Sequence, residues 1–320
     1  MKITDIRTIQ LKRPLERTQR NSMEGRKMRS FTFVIVETDA GISGIGDAFG
    51  NQALIEPIIR KSLANIAIGL DPLDIENLWK KLFCSSAFWE VGGSVLCAIS
   101  AIEVACWDIM GKVKGVPVSE LLGGAKLDKI EAYASDLHWD EPAHMADAAK
   151  GYVDDGFKIV KTHIGNENEL DRDLLRLEAI RNAIGSKIGL MIDINTGFDR
   201  DAALEQAHKQ AQFDPFWYEE PICPIDYAGC AWLREQLSVP IAVGENLYTA
   251  HGFQPMFTYK ACDFIMPDIL RCDRVEITFA ESEVIDGIQD IGLTDAIGAN
   301  QAIDLCIELE FPRIEILVIK

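Results

Sequence analysis

Asp193, Glu219 and Glu245 stand at equal intervals, each 26 residues after the last. Each closes a short apolar run: Gly189 to Asp193, Pro215 to Glu219, and Ile241 to Glu245. A repeat of apolar strand, acidic residue and helical connector is the output of successive β/α units. It sets three negative side chains at the same end of neighbouring parallel strands. Carboxylates converging there repel one another unless a hard divalent cation lies between them, so the spacing predicts a metal site at a barrel mouth. The other strand ends follow suit, with Lys161-Thr162-His163, Asp193-Ile194-Asn195, Glu219-Glu220-Pro221, Gly244-Glu245-Asn246 and Met266-Pro267-Asp268. Side chains alternate along a strand, so Lys161 and His163 share one face, as do Asp193 and Asn195. Unpaired burial of such groups costs several kcal/mol each by order of magnitude, and folding alone does not ask for it.

The elements that must position these groups are legible on either side of residue 127. Residues 1–50 read as strands: Lys2 to Ile9 alternates, Phe31 to Thr38 is β-branched and aromatic, and Asp39-Ala40-Gly41 is a turn. From about 52 to 113 the apolar spacing becomes helical, strongest over Ala98 to Met110, and Leu121-Leu122-Gly123-Gly124 stops it. Beyond 127, candidate strands begin near Lys129, Phe157, Ile188, Phe216, Pro240, Asp263, Ile291 and Ile314, with amphipathic helices between most of them. Eight strands in this alternation predict a TIM-type (β/α)7β barrel, residues 127–320, preceded by an α+β domain, residues 1–126. The chain is expected to end on the eighth strand.

Composition narrows the partners. A formal net charge of −18 over 320 residues argues against nucleic acid or an anionic membrane. No apolar stretch is expected to reach the roughly 20 residues of a membrane span. The start, Met1 to Asp5, lacks a signal-peptide pattern. The eight cysteines show no Cys-x-x-Cys spacing, and buried, reduced, cytoplasmic thiols account for them. Against the acidic background Lys12 to Arg29 is basic. It reads either as a mobile loop that meets an anionic substrate or as a solvated loop with scattered charges.

Together these motifs resemble the enolase superfamily, and within it the mandelate racemase/muconate lactonizing enzyme family. Ala101 to Asp108 and Leu121 to Gly124 are similar to the family's capping-domain helix and its exit into the barrel. Asp193-x-Asn195, Glu219-Glu220-Pro221 and Gly244-Glu245-Asn246 resemble its three ligand motifs, which implies Mg²⁺ on Asp193, Glu219 and Glu245. The resemblance implies removal of the proton α to a substrate carboxylate through an enolate, with the metal and nearby cations carrying the charge. Lys161 resembles the first lysine of a Lys-x-Lys motif, which neutralises the substrate carboxylate. His163 replaces the second, the base, and histidine can abstract protons near neutral pH. Lys161 and Asn195 are the substrate-binding candidates, and Lys161, His163, Asp268 and Glu315 the catalytic ones; no organic cofactor is implied. A small carboxylate substrate and a homo-oligomer are the expected partners.

The pattern departs from the family on the opposite side of the site. Asp268 matches the aspartate of a His–Asp dyad, but no histidine follows His251, and Asp295 stands near the expected position. Cys272-Asp273-Arg274 replaces a usual Gly-Gly pair, and Glu315 resembles the strand-eight glutamate. Family members normally continue beyond this strand. An acid-sugar dehydratase fits best, because elimination needs one good base. A racemase or epimerase, a cycloisomerase, and a metal-binding but catalytically impaired member are the alternatives.

Overall fold

The computed structural model describes residues 1–23, 25–88, 90–124, 132–166 and 168–271. Strands β1 (Ile3–Arg20) and β2 (Gly25–Thr38) form a long antiparallel ribbon, and β3 (Ser43–Ala48) pairs with the base of β2. Alternation sorts the two faces: Ile6, Val34, Val36 and Ala48 are buried, whereas Ile9, Leu11 and Ile45 point the other way and stay exposed. The helices on the buried side are α1 (Gln52–Ile58), α2 (Ala64–Ala67), α3 (Ile75–Ser86), α4 (Gly93–Lys114) and α5 (Val118–Leu121), with one π turn, Ile59–Leu63. Asn51 and Asp74 cap α1 and α3 through their side chains. Gly115, in the left-handed region at φ 68°, ends α4.

Helix α4 lies directly on the sheet because β3 carries glycine at both contact points. A Cβ on Gly44 or Gly46 would stand 1.9 Å from the carbonyl oxygen of Ala105 or Ala101. At 22 residues α4 is long and apolar enough to cross a membrane by length and composition, contrary to the expectation of no such stretch. Its apolar side chains, Leu96, Ile99, Ile102 and Ile109 among them, are instead buried inside this domain.

The basic segment is not a loop. Pairing continues from Leu11↔Phe31 through Arg13↔Arg29, shifts register after Pro14, and resumes at Gln19↔Arg26. What holds this outer half is the other domain: Ser22 Oγ donates to the Ile194 carbonyl at 2.6 Å, and Trp139 N donates to the Arg20 carbonyl at 3.1 Å. Gln19 reaches Asp136 at 3.2 Å and Arg17 reaches Asp140 at 3.3 Å.

Six parallel strands follow in chain order: β4 (Ala134–Leu137), β5 (Ile159–His163), β6 (Gly189–Asp193), β7 (Pro215–Glu219), β8 (Ile241–Val243) and β9 (Phe264–Ile265). Helices α6 (Pro142–Asp154), α7 (Leu170–Ile184), α8 (Arg200–Gln210), α9 (Tyr227–Gln236) and α10 (Thr249–Tyr259) connect them. The first described strand begins at Ala134, and Lys129 to Glu131, where the sequence places its start, fall outside the described residues. The candidate seventh and eighth strands, with Asp295 and Glu315, fall outside the described residues. Val160, Leu190, Ile192 and Tyr218 pack outward in the core that includes the helices. Met191, Trp217 and Phe264 fill the interior, where the Trp217 ring lies 5.2 Å from Phe264 and 5.9 Å from Tyr133. The next inward position on each strand stands on this plug.

Candidate active site

Register brings the chemistry together. His163 pairs with Asp193 and Asp193 with Glu219, so three strand ends present their last side chains in one layer. Lys161 starts one layer deeper, opposite Met191, and its long side chain rises into the cluster. Its Nζ lies 2.6 Å from Glu219 Oε1, 3.2 Å from Asp193 Oδ2 and 5.8 Å from the centre of the Tyr133 ring. Trp217 Nε1 donates to the second Glu219 oxygen at 3.2 Å.

His163 Nδ1 is 3.0 Å from Asn195 Oδ1 and 3.2 Å from Asp193 Oδ2. Both partners are acceptors, so Nδ1 must carry the hydrogen, and the lone pair of a neutral ring is on Nε2. A second histidine, His138, stacks on this ring with centroids 4.6 Å apart and planes 7° from parallel.

The loops after β6 and β7 take conformations that side chains other than glycine seldom adopt: Asn195, Thr196 and Glu220 have φ of 48°, 61° and 39°. Backbone bonds from Thr196 N to the Glu220 carbonyl (2.7 Å) and from Glu220 N to the Ala242 carbonyl (2.9 Å) hold them there. After β8, Asn246 Nδ2 donates to Glu220 at 2.5 Å and to Glu245 at 3.3 Å. Arg271 bonds the Glu245 carbonyl and Asn246 Oδ1, and lies 4.0 Å from the ring of Phe49, which belongs to the first domain.

The electrostatics are those of crowded, buried acids. Burial, then Asp193, drives the Glu219 carboxyl far above the usual carboxylate range. Burial and Glu245 push Glu220 up to about 8, and burial with Asp193 raises Glu245. Burial would raise Asp193 too, but Lys161 and His163 beside it hold it below the ordinary value. Burial disfavours the Lys161 ammonium, and Asp193 with Glu219 more than offset that, keeping the lysine firmly charged. Among the described residues no three His, Cys, Asp or Glu side chains already have the mutual geometry of a metal cage. The Lys161 ammonium bridges two of the expected ligands. The donor set nevertheless suits a hard cation: all oxygen, buried, and repelling one another more than one lysine relieves.

Lys161, His163, Asp193, Asn195, Glu219 and Glu245 thus stand together at one end of the parallel sheet. Asp268 sits with Arg271, 3.8 Å away, and Glu315 lies outside the described residues. Sequence reasoning missed His138 and Arg271 and assigned Glu220 no role. His138 closes a polar strand, Ala134–Leu137, and the rule of apolar runs ending in ionisable groups does not detect it.

The sequence profile of mandelate racemase / muconate lactonizing enzyme N-terminal domains matches residues 3–123, and that of enolase C-terminal domain-like folds matches residues 144–275. L-talarate/galactarate dehydratase of Salmonella typhimurium is 33% identical over 239 residues, 72% of this chain and 58% of that protein. D-galactarolactone cycloisomerase of Agrobacterium fabrum is 31% identical over 276 residues, 85% of this chain and 72% of that one. The crystal structure of 3,6-anhydro-D-galactonate cycloisomerase from Zobellia galactanivorans superposes with a TM-score of 0.78 at 33% identity, over 88% of this chain and 78% of its own. The chain therefore spans just over half the length of the dehydratase. The architecture is an N-terminal capping domain followed by a TIM-type barrel.

Proposed function

We propose that this chain, which belongs to the mandelate racemase/muconate lactonizing enzyme family of the enolase superfamily, is a lyase that dehydrates an acid sugar. The observation that carries the reading is His163: two acceptors hold Nδ1–H and leave Nε2 as the basic atom, beside the carboxylate cluster. Nε2 takes the proton α to the substrate carboxylate, and the C–H electron pair becomes the enolate. The β C–O bond then breaks, and the imidazolium returns its proton to the departing hydroxyl as water. The enol that remains becomes a 2-keto-3-deoxy acid. Lys161 sets its positive charge beside the substrate carboxylate, and Asn195 holds the base in register. Asp193, Glu219 and Glu245 would hold Mg²⁺, which supplies the further positive charge an enolate dianion needs.

The similarity to two cycloisomerases supports a second reading, in which the enolate is reprotonated or captured within the molecule and no water leaves. Incubation of pooled acid sugars with the enzyme and Mg²⁺ in D₂O tests both. Dehydration removes one water from the product mass, whereas isomerisation keeps the mass apart from deuterium. His163→Asn should abolish α-proton exchange, and Lys161→Met should lower it by two orders of magnitude or more by analogy with loss of one electrostatic contact, about 10²-fold. No exchange from any hydroxy-acid, with Mg²⁺ binding demonstrated, would leave the metal-binding but impaired reading in its place.

A further inference from the structure

Helix α7 carries a buried ion pair that the proposed reaction does not use. Asp173 and Arg176 are both buried, and Arg176 Nη1 lies 2.7 Å from Asp173 Oδ1. An apolar pair of similar volume in such a place is often as stable or more so, and stability alone does not account for the charges. Each partner has a second grip. Asp173 Oδ2 accepts from the Gly165 N–H at 2.9 Å, and Arg176 Nε donates to the Asp140 carbonyl at 3.0 Å. Arg176 Nη2 also donates to Glu169 at 2.7 Å, and the guanidinium lies 4.7 Å from the centre of the Trp139 ring. Gly165 stands two residues past His163, and Asp140 two residues past His138. The ladder between β4 and β5 ends at Leu137↔Thr162, one residue short of both histidines. Their rings nevertheless stack 7° from parallel.

We propose that Asp173 and Arg176 are a positioning pair: one ion pair on α7 clamps the turns that leave β4 and β5, and so sets the His138–His163 stack, a role that rests on His163 being the base. Asp173 fixes the turn after His163. A side chain on Gly165, at φ 112°, would come within 2.8 Å of Ile194, so this turn also sits on the residue between Asp193 and Asn195. Arg176 fixes the turn after His138. The His138 ring then covers one face of His163 and opposes its rotation, while Asn195 and Asp193 hold the Nδ1 edge. Face and edge together leave Nε2 one direction in which to point, and a base held in a single orientation is worth orders of magnitude in rate.

Asp173→Leu combined with Arg176→Met removes both grips without stranding a partner charge, and the double variant should melt close to the wild type. Proton NMR of the full chain, without substrate, reads the stack directly. The chain has five histidines, so its imidazole signals are few. Stacked rings shift each other's protons upfield, and the signals of the pair, assigned by their loss in His138→Phe and His163→Asn, should move downfield in the double variant. With an acid sugar and Mg²⁺, kcat should fall about tenfold to a hundredfold while KM stays within about twofold, because the base is misplaced and Lys161 still receives the carboxylate. Arg176→Lys keeps a charge opposite Asp173 but cannot fork to Asp140 and Glu169 as well, so it should move the same signals and decides the matter even where the double variant fails to fold. Ring signals that stay in place in either folded variant overturn the proposal, as does a loss of rate carried by KM alone. If the wild type removes no α-proton from any acid sugar, it is the reading of the base that falls, and the ring signals still decide the clamp.

Discussion

Burial, together with the charge of neighbouring His163, lowers the pKa of His138 from 6.5 to about 4. The consequence has a definite sign. Between those values the unfolded chain takes up a proton that the folded one refuses. The contribution is therefore complete above pH 6.5 and is lost as the pH falls toward 4, a swing of about 2–3 kcal/mol. His138→Phe keeps a flat ring against His163 and removes the titration. Urea midpoints measured near neutrality and again near pH 4 check this: the wild type should lose more on acidification than the variant, and equal losses rule the assignment out. The same residue marks how far single positions were legible. Asp193, Glu219 and Glu245 each end an unmistakable apolar run, so their convergence could be read from spacing. His138 follows Ser135-Asp136-Leu137, a strand too short and too polar to announce its end, and Glu220 gains its meaning only from the left-handed turn that points it toward Asn246.

Glycine substitutions separate elements held by contact from elements held by propensity. Gly46 of β3 has the α4 backbone pressed against it, and no flexible side chain stands there to yield. Gly46→Ala should cost about 3 kcal/mol, the upper range for forcing a methyl into a packed site. Gly151, inside α6, has open space where its Cβ would be. Gly151→Ala should therefore stabilise the chain by about 0.5–1 kcal/mol, from helix propensity and a less free unfolded state. Chemical denaturation of both variants checks the opposite signs, and two shifts in the same direction would contradict the helix-on-sheet contact. At this scale the barrel helices and most of the strands were legible, because hydrophobic period is a local property. The outer ribbon was not. Residues 12–20 and 25–30 have neither alternation nor β-branched enrichment, and they are strands because Ser22, Arg20, Gln19 and Arg17 dock on the barrel, a contact distant in the chain.

For the whole molecule, the strand-and-helix rhythm made the two-part architecture legible, while the balance of charge between the carboxylates and Lys161 emerged only from the structure. That balance ties stability, pH and metal together. Glu219, Glu220 and Glu245 have folded pKa values above the ordinary 4.5, with Glu220 at about 8. A raised carboxyl contributes stability that is complete below its unfolded value and is lost as the pH rises through its folded one. The metal-free protein should accordingly melt lower at about pH 8.5 than near pH 6. A divalent cation competes with protons for the same oxygens, so Mg²⁺ binding should release protons and tighten as the pH rises. At a free concentration about a hundredfold above its dissociation constant, Mg²⁺ should stabilise the fold by about 2.7 kcal/mol. The increment should be larger at the higher pH and vanish with EDTA. Asp193→Ala, Glu219→Ala and Glu245→Ala should each abolish it, whereas Asp268→Ala should reduce it least, because Asp268 stands 3.8 Å from Arg271. Thermal melts of the full chain with and without Mg²⁺ at the two pH values decide the matter. Identical curves at both would eliminate the metal site, and a shift that shrinks as the pH rises would show that protons and metal do not share those oxygens.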